Sequence, residues 1–205
     1  MIQATINAPP FIWAFNRAVT SLSAVQGTAD YSASLTDFGF IEQASVTDPT
    51  ISAPNTGTWQ IKDVYNTQPL SISNTQARPM AIALQSQVPG TSQVFRLSAT
   101  PDKTYTIGVI YQQSPVLFTA LSQQWSLPDS FIPIYNNLFL GEALADSDDV
   151  RSQQYRQRGV AGLLARASGL TDQDKATFAA QYLQQDVNTM LATLRTQQST
   201  QARAL

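Results

Sequence analysis

The sequence predicts an α+β protein, with an antiparallel β-sandwich or barrel-like half at its N-terminal side and a C-terminal bundle of about three helices. Two compositional regimes and one spacing carry this reading. Residues 17–120 are rich in Thr, Ser, Val, Ile, Tyr and Pro in short alternating runs, whereas residues 129–199 are rich in Ala, Leu, Gln and Arg at helical spacing. Turn residues divide the first half roughly every ten residues, the rhythm of a sandwich or a partly open barrel. The expected layout is a β-rich region over 1–120 that includes an N-terminal docking segment, a linker over 121–128, a helical region over 129–199 and a flexible tail over 200–205.

The chain opens with Pro9-Pro10-Phe11-Ile12-Trp13-Ala14-Phe15. Five apolar residues in a row read either as a docking segment or as a strand lying over the sandwich, so Phe11, Trp13 and Phe15 are interface candidates. Seven strands follow: Ala18–Ala24, Ala29–Ser34, Gly39–Thr47, Thr58–Tyr65, Met80–Gln85, Val94–Ala99 and Tyr105–Tyr111. Gln26-Gly27, Asp48-Pro49, the run Pro54 to Gly57, Pro89-Gly90 and Pro101-Asp102 supply the turns between them.

Pro128-Asp129 punctuates the second half, with Asp129 as N-cap of a first helix. Phe131, Ile134, Tyr135, Leu138, Phe139 and Ala143 give it an apolar stripe, and Pro133 falls in its first turn, where a missing N–H costs little. Ser147, followed by Asp148 and Asp149, is the expected cap of a second helix carrying Tyr155, Gly159, Gly162, Leu163 and Arg166, with Gly169 at its C′ position. Thr171 and Asp174 form a near capping box for a third helix from about Asp172 to Thr196. Its stripe of Phe178, Tyr182, Leu183, Val187, Met190, Leu191 and Leu194 needs a partner face.

Composition removes several functions. The 205 residues contain no Cys and no His. Thiolate chemistry, a Ser-His-Asp triad and a histidine metal centre are therefore impossible for this chain. A formal net charge of −2 argues against a strongly basic DNA binder. With charged residues at only 13%, polarity comes from Gln, Ser and Thr, a surface suited to protein contacts. The N-terminus shows no basic run before an apolar stretch, and no window is long and apolar enough to span a bilayer. The expectation is a soluble protein made in the cytoplasm, with no membrane partner and no cofactor.

The remaining candidates favour structural roles. Glu142, Asp146, Asp148 and Asp149 cluster at a helix junction, but their spacing does not match a calcium loop, and capping explains them better than a cation site or a hydrolytic acid–base pair. Arg151 and Arg158 share a helical face from which Arg156 is turned away, which fits local pairing or a protein interface better than a DNA stripe. Trp59 reads as core packing; together with Tyr65 and Trp125 it also supports a second reading, a carbohydrate- or receptor-binding β-sandwich.

One stretch carries further information. Residues 94–167 run from a strand with Phe95-Arg96-Leu97, through Pro101-Asp102 and the strand Tyr105 to Tyr111, to Leu127-Pro128-Asp129 and paired helices with Arg151 and Tyr155. This layout resembles the head-to-tail adaptor (neck) proteins of tailed bacteriophages, over about half of the chain. The resemblance implies a structural virion protein of the phage neck, made in the host cytoplasm. It implies a homo-oligomeric ring of twelve subunits between the portal protein and a tail or nozzle protein, with DNA passing through the lumen without sequence-specific binding. It gives Arg96, Pro101, Asp102, Tyr105, Pro128, Asp129, Arg151 and Tyr155 structural roles and no catalytic one. Position alone makes Gln197, Arg203 and Leu205 candidates for docking into the portal. Many relatives begin with a helix ahead of the β region; none is legible in this sequence.

Overall fold

The computed structural model describes residues 2–51, 57–61, 63–65, 73–115, 127–147 and 149–183. The chain is α+β and divides into two compact units, Met1–Ile12 with Phe118–Leu205, and Trp13–Leu117.

The second unit holds the strands. One sheet has the order β1 (Arg17–Ala24), β10 (Tyr105–Gln113), β3 (Phe38–Thr47), β4 (Thr58–Ile61). The other runs β2 (Asp30–Ala33), β8 (Ser92–Leu97), β7 (Ala81–Val88), β5 (Asp63–Tyr65). A small third pair joins β6 (Ser73–Gln76) to β9 (Ala99–Thr100). All seven expected strand positions are occupied. Alternation explains why: Tyr105, Ile107, Val109 and Tyr111 point one way from β10, and all are buried in the core shared by the two large sheets. Phe38 of β3 meets Phe95 of β8 edge-on at 5.5 Å, tying one sheet to the other.

Two expectations about the strands need correction. The single strand expected over Thr58–Tyr65 is two, because β4 pairs with β3 in the first sheet while β5 pairs with β7 in the second. A strand that changes sheets closes a corner of a sandwich. The sheets are also not wholly antiparallel: β5–β7 and β6–β9 are parallel. Parallel neighbours need a long connection, which residues 66–80 supply between β5 and β7. One glycine is required by a close approach. At Gly39 the β3–β10 register is irregular, and a Cβ there would lie 2.6 Å from the Gln112 carbonyl oxygen.

The helical unit contains α1 (Ile2–Asn7), α2 (Ile132–Ala145), α3 (Arg151–Arg166) and α4 (Asp172–Leu183). A helix therefore does precede the β region, contrary to the sequence reading. Six residues are too few to hold a helix alone; α1 survives because Ile2 and Ile6, one turn apart, are buried and the helix packs on α2. Phe11 meets Phe178 of α4 edge-on at 4.6 Å. Residues up to Ile12 thus group with the helices, whereas the sequence reading joined them to the strands over 1–120.

The helix starts also differ in detail. Asp129 is not an N-cap: Pro128 is, and Asp129 begins a 3-10 turn, Asp129–Phe131, that leads into α2. At α3 the Asp149 carboxylate, not Ser147, accepts the Arg151 backbone N–H at 2.8 Å. Helix α3 ends at Arg166 with Ala167 as its cap, so Gly169 lies beyond the C′ position. The Thr171–Asp174 box forms as expected, the Asp174 N–H donating to the Thr171 hydroxyl oxygen at 3.2 Å. The stripe from Val187 to Leu194, Trp125, and the candidates Gln197, Arg203 and Leu205 lie outside the described residues.

Helices α2 and α3 approach closely because glycines face large side chains. A Cβ at Gly159 would stand 2.6 Å from the Leu138 side chain and 3.1 Å from its backbone nitrogen. Gly141 is crowded in the same way by Arg156. Overpacking costs about 1–3 kcal/mol, against about 1 kcal/mol of helix propensity gained by Ala over Gly. Gly159→Ala should therefore lower the urea midpoint of the protein. Gly169→Ala, with nothing within 4 Å of its added methyl, should leave that midpoint where it is.

Candidate functional site

Four of the eight residues singled out by the sequence resemblance, Arg96, Pro101, Asp102 and Tyr105, gather at one end of the β unit, where β1 and β3 finish and β4 and β10 begin. Arg96 of β8 stands opposite Asp30 of β2 and grips its carboxylate with two N–H groups, each at 2.7 Å. The Pro101 carbonyl accepts the Gly27 N–H at 3.0 Å, which fastens the β1–β2 turn to the β9–β10 turn. The Tyr105 hydroxyl donates to Asp102 at 2.8 Å. Burial and that carboxylate push the phenol up to about 12. Lys103 forms an ion pair with the buried Asp48, which also accepts the Thr50 backbone N–H at 2.9 Å and the Thr50 hydroxyl at 2.6 Å. Arg78 lies over the Trp59 ring, 4.2 Å from its centre.

At the opposite end of the unit the sequence marked Trp13 but none of the polar residues around it. Gln112 is fully buried and clamps one backbone residue from both sides. The Trp13 N–H donates to its Oε1 at 3.1 Å, and its Nε2 donates to the Trp13 carbonyl at 3.2 Å. That Nε2 also reaches Glu42 at 2.7 Å, and Glu42 is held by the Arg17 Nε at 2.8 Å. Asn16 donates to the Gln113 carbonyl at 2.8 Å. Tyr111 donates to Asp37 at 2.9 Å, and burial and that carboxylate push its phenol up to about 12. Gln93 repeats the device, accepting the Leu35 N–H at 3.0 Å and donating to the Leu35 carbonyl at 2.8 Å. A side-chain amide carries the donor and acceptor of a peptide group, so each Gln stands in for a missing strand. The available signal was Gln closing the apolar run of β10 and Gln near the start of β8.

The other candidates disperse. Arg151 pairs with Asp149 at 2.6 Å at the start of α3, and Arg158 lies 5.9 Å from the centre of the Tyr155 ring. Pro128 accepts the Phe131 N–H at 2.8 Å. Phe11 and Trp13 are buried within the chain, which removes them as ready docking residues; Phe15 is 38% exposed and stacks on Trp13 at 6.0 Å. Glu142 accepts Arg156 at 2.8 Å and the Tyr182 hydroxyl at 3.1 Å, so it ties α2 to α3 and α4. Among the described residues no group of three or more Asp or Glu gathers as a metal site would need. What these arrangements do chemically is hold turns and strand ends in place.

No family model matches the chain, and no curated protein matches it in sequence.

The Asp48 carboxyl is held down at about 2 by Lys103 first and the Thr50 hydroxyl next. A carboxylate whose folded value lies below its unfolded value of about 3.9 stabilises the fold while ionised. Its contribution is complete above about pH 4 and is lost as pH falls toward 2. Asp48→Asn should melt earlier than the parent protein at neutral pH, and the gap in melting temperature should close between about pH 4 and pH 2.

Proposed function

We propose that this chain is a subunit of a phage head-to-tail adaptor ring, sited in the virion neck between the portal and a tail protein. The observation that carries the reading is the insertion of a β unit, Trp13–Leu117, between α1 and α2–α4. A helix ahead of the β region is what the resemblance implies and what the sequence alone did not reveal. Structural roles for pattern residues support it: Arg96 ties β8 to β2, Pro101, Asp102 and Tyr105 fasten the turn into β10, and Arg151 starts α3 with Asp149.

The surface suits assembly. Helix α2 buries Ile134, Leu138 and Gly141 yet leaves Ile132, Phe139 and Leu140 exposed, so it is apolar on two faces. Large apolar side chains exposed beside a buried stripe offer a surface for another chain. In the ring, twelve copies close by one heterologous contact repeated by rotation, and DNA passes through the lumen without base-specific contact. No described helix is long and apolar enough to cross a membrane. The competing carbohydrate-binding reading needs an open aromatic face, and Arg78 occupies one face of Trp59.

Copy number in purified particles tests the proposal. Quantitative mass spectrometry against the portal protein should return a ratio near one to one. Copies many times in excess of the portal would assign the chain to a shell or tube instead, and absence from particles would overturn the virion reading.

A further inference from the structure

We propose that the C-terminal stripe of one copy, Val187, Met190, Leu191 and Leu194, packs on the exposed face of α2 in the neighbouring copy. On α2, Ile132, Phe139 and Leu140 are 45, 53 and 41% exposed, and Phe139 stacks on Tyr135 at 6.1 Å. Ile132, Tyr135 and Phe139 recur at three and four, so they line one side of the helix. No charged residue occurs from Ser130 to Gly141, and none from Val187 to Leu194. The two surfaces also match in length. At about 1.5 Å per residue, Ile132 to Leu140 covers about 12 Å and a helical Val187 to Leu194 about 10 Å.

The course of the helices selects a second copy as the source of the stripe. Helices α2 and α3 run antiparallel, with Ile134 against Gly162, Leu138 against Gly159 and Arg156 against Gly141. The end of α3 sits at the start of α2, where Arg166 donates to the Ser130 carbonyl at 2.8 Å. Turn bonds from the Ser168 N–H to Arg166 and from the Leu170 N–H to Ala167 keep the connection to α4 tight, so α4 begins at that same end. It finishes at the other, where the Tyr182 hydroxyl donates to Glu142 at 3.1 Å. Helix α4 thus runs in the same direction as α2, and the chain passes Leu183 heading beyond the last turn of α2. A helix continued at the spacing of Val187, Met190, Leu191 and Leu194 carries this stripe away from Ile132, Phe139 and Leu140 of its own chain, with Leu194 about 18 Å past Tyr182. One copy therefore offers an open apolar face and a stripe that needs a partner face, and the two do not meet along that course. Because they are different surfaces, joining them between copies makes a heterologous contact that runs in one direction. This deepens the adaptor reading, on which closure into a ring rests.

Disulfide trapping tests this on the purified full chain, which has no cysteine of its own. Phe139→Cys is mixed with Met190→Cys or with Leu191→Cys under mild oxidation, and the products are separated without reductant. A disulfide needs Cα atoms within about 7 Å, so one of the two mixtures should form the mixed dimer in about tenfold excess over either homodimer. The chain carrying both cysteines of that pair should give a ladder of dimers, trimers and higher species. Val88→Cys, exposed on the β unit, measures chance collision and should trap with neither. Phe139 is exposed, so its substitution should keep the parent's melting temperature. Homodimers alone, trapping no greater than that of Val88→Cys, or an internal disulfide that leaves the double variant monomeric would each overturn the proposal. Particle copy number is read separately: a failed trap beside a one-to-one ratio removes this contact and leaves the adaptor reading standing, and a ladder from a chain absent from particles does the reverse.

Discussion

The structure depends on one buried side chain and the corner that it closes. Strand β1 begins where β10 ends, Arg17 standing opposite Gln112. The chain thus enters and leaves the β unit at neighbouring points of one sheet. Gln112 fixes the incoming backbone by holding both polar groups of Trp13, and Asn16 holds the outgoing one at Gln113. A unit whose two ends meet can sit inside another unit without straining either. Buried and fully paired, the amide specifies this crossing; left half paired it would cost about 1–3 kcal/mol.

That constraint explains which parts of the fold were legible in the sequence. The strands were, because a half-buried strand must alternate, and Tyr105, Ile107, Val109 and Tyr111 do so plainly. The Thr171–Asp174 box was, because capping is local chemistry. Features decided by tertiary contact were not. Ile2 and Ile6 make a helix only because α2 lies against them. The break between β4 and β5 follows from which sheet each joins, not from the run of residues between Thr58 and Tyr65. Asp129 and Ser147 were plausible caps, but the turn starts one residue earlier, with Pro128 as its cap, and Asp149 serves in place of Ser147.

The candidate site was legible in part for the same reason. Arg96, Asp102 and Tyr105 belong to a pattern visible in sequence, and the structure gives each a partner close by in the fold. Gln112 and Gln93 passed unnoticed because a strand glutamine usually faces water. Their role appears only when Trp13 and Leu35 arrive from elsewhere in the chain. The functional reading rests on this same architecture. An adaptor subunit works by shape and contact, and here the polar side chains with the most partners are spent on holding loops and chain crossings.

Native-state hydrogen exchange at the Trp13 amide tests the central claim most directly. If Gln112 fixes the crossing, the Trp13 N–H should exchange only with the cooperative opening of the β unit, at the rate of the central β10 amides. A Trp13 amide that exchanges as fast as an exposed loop while β10 stays protected would contradict the account.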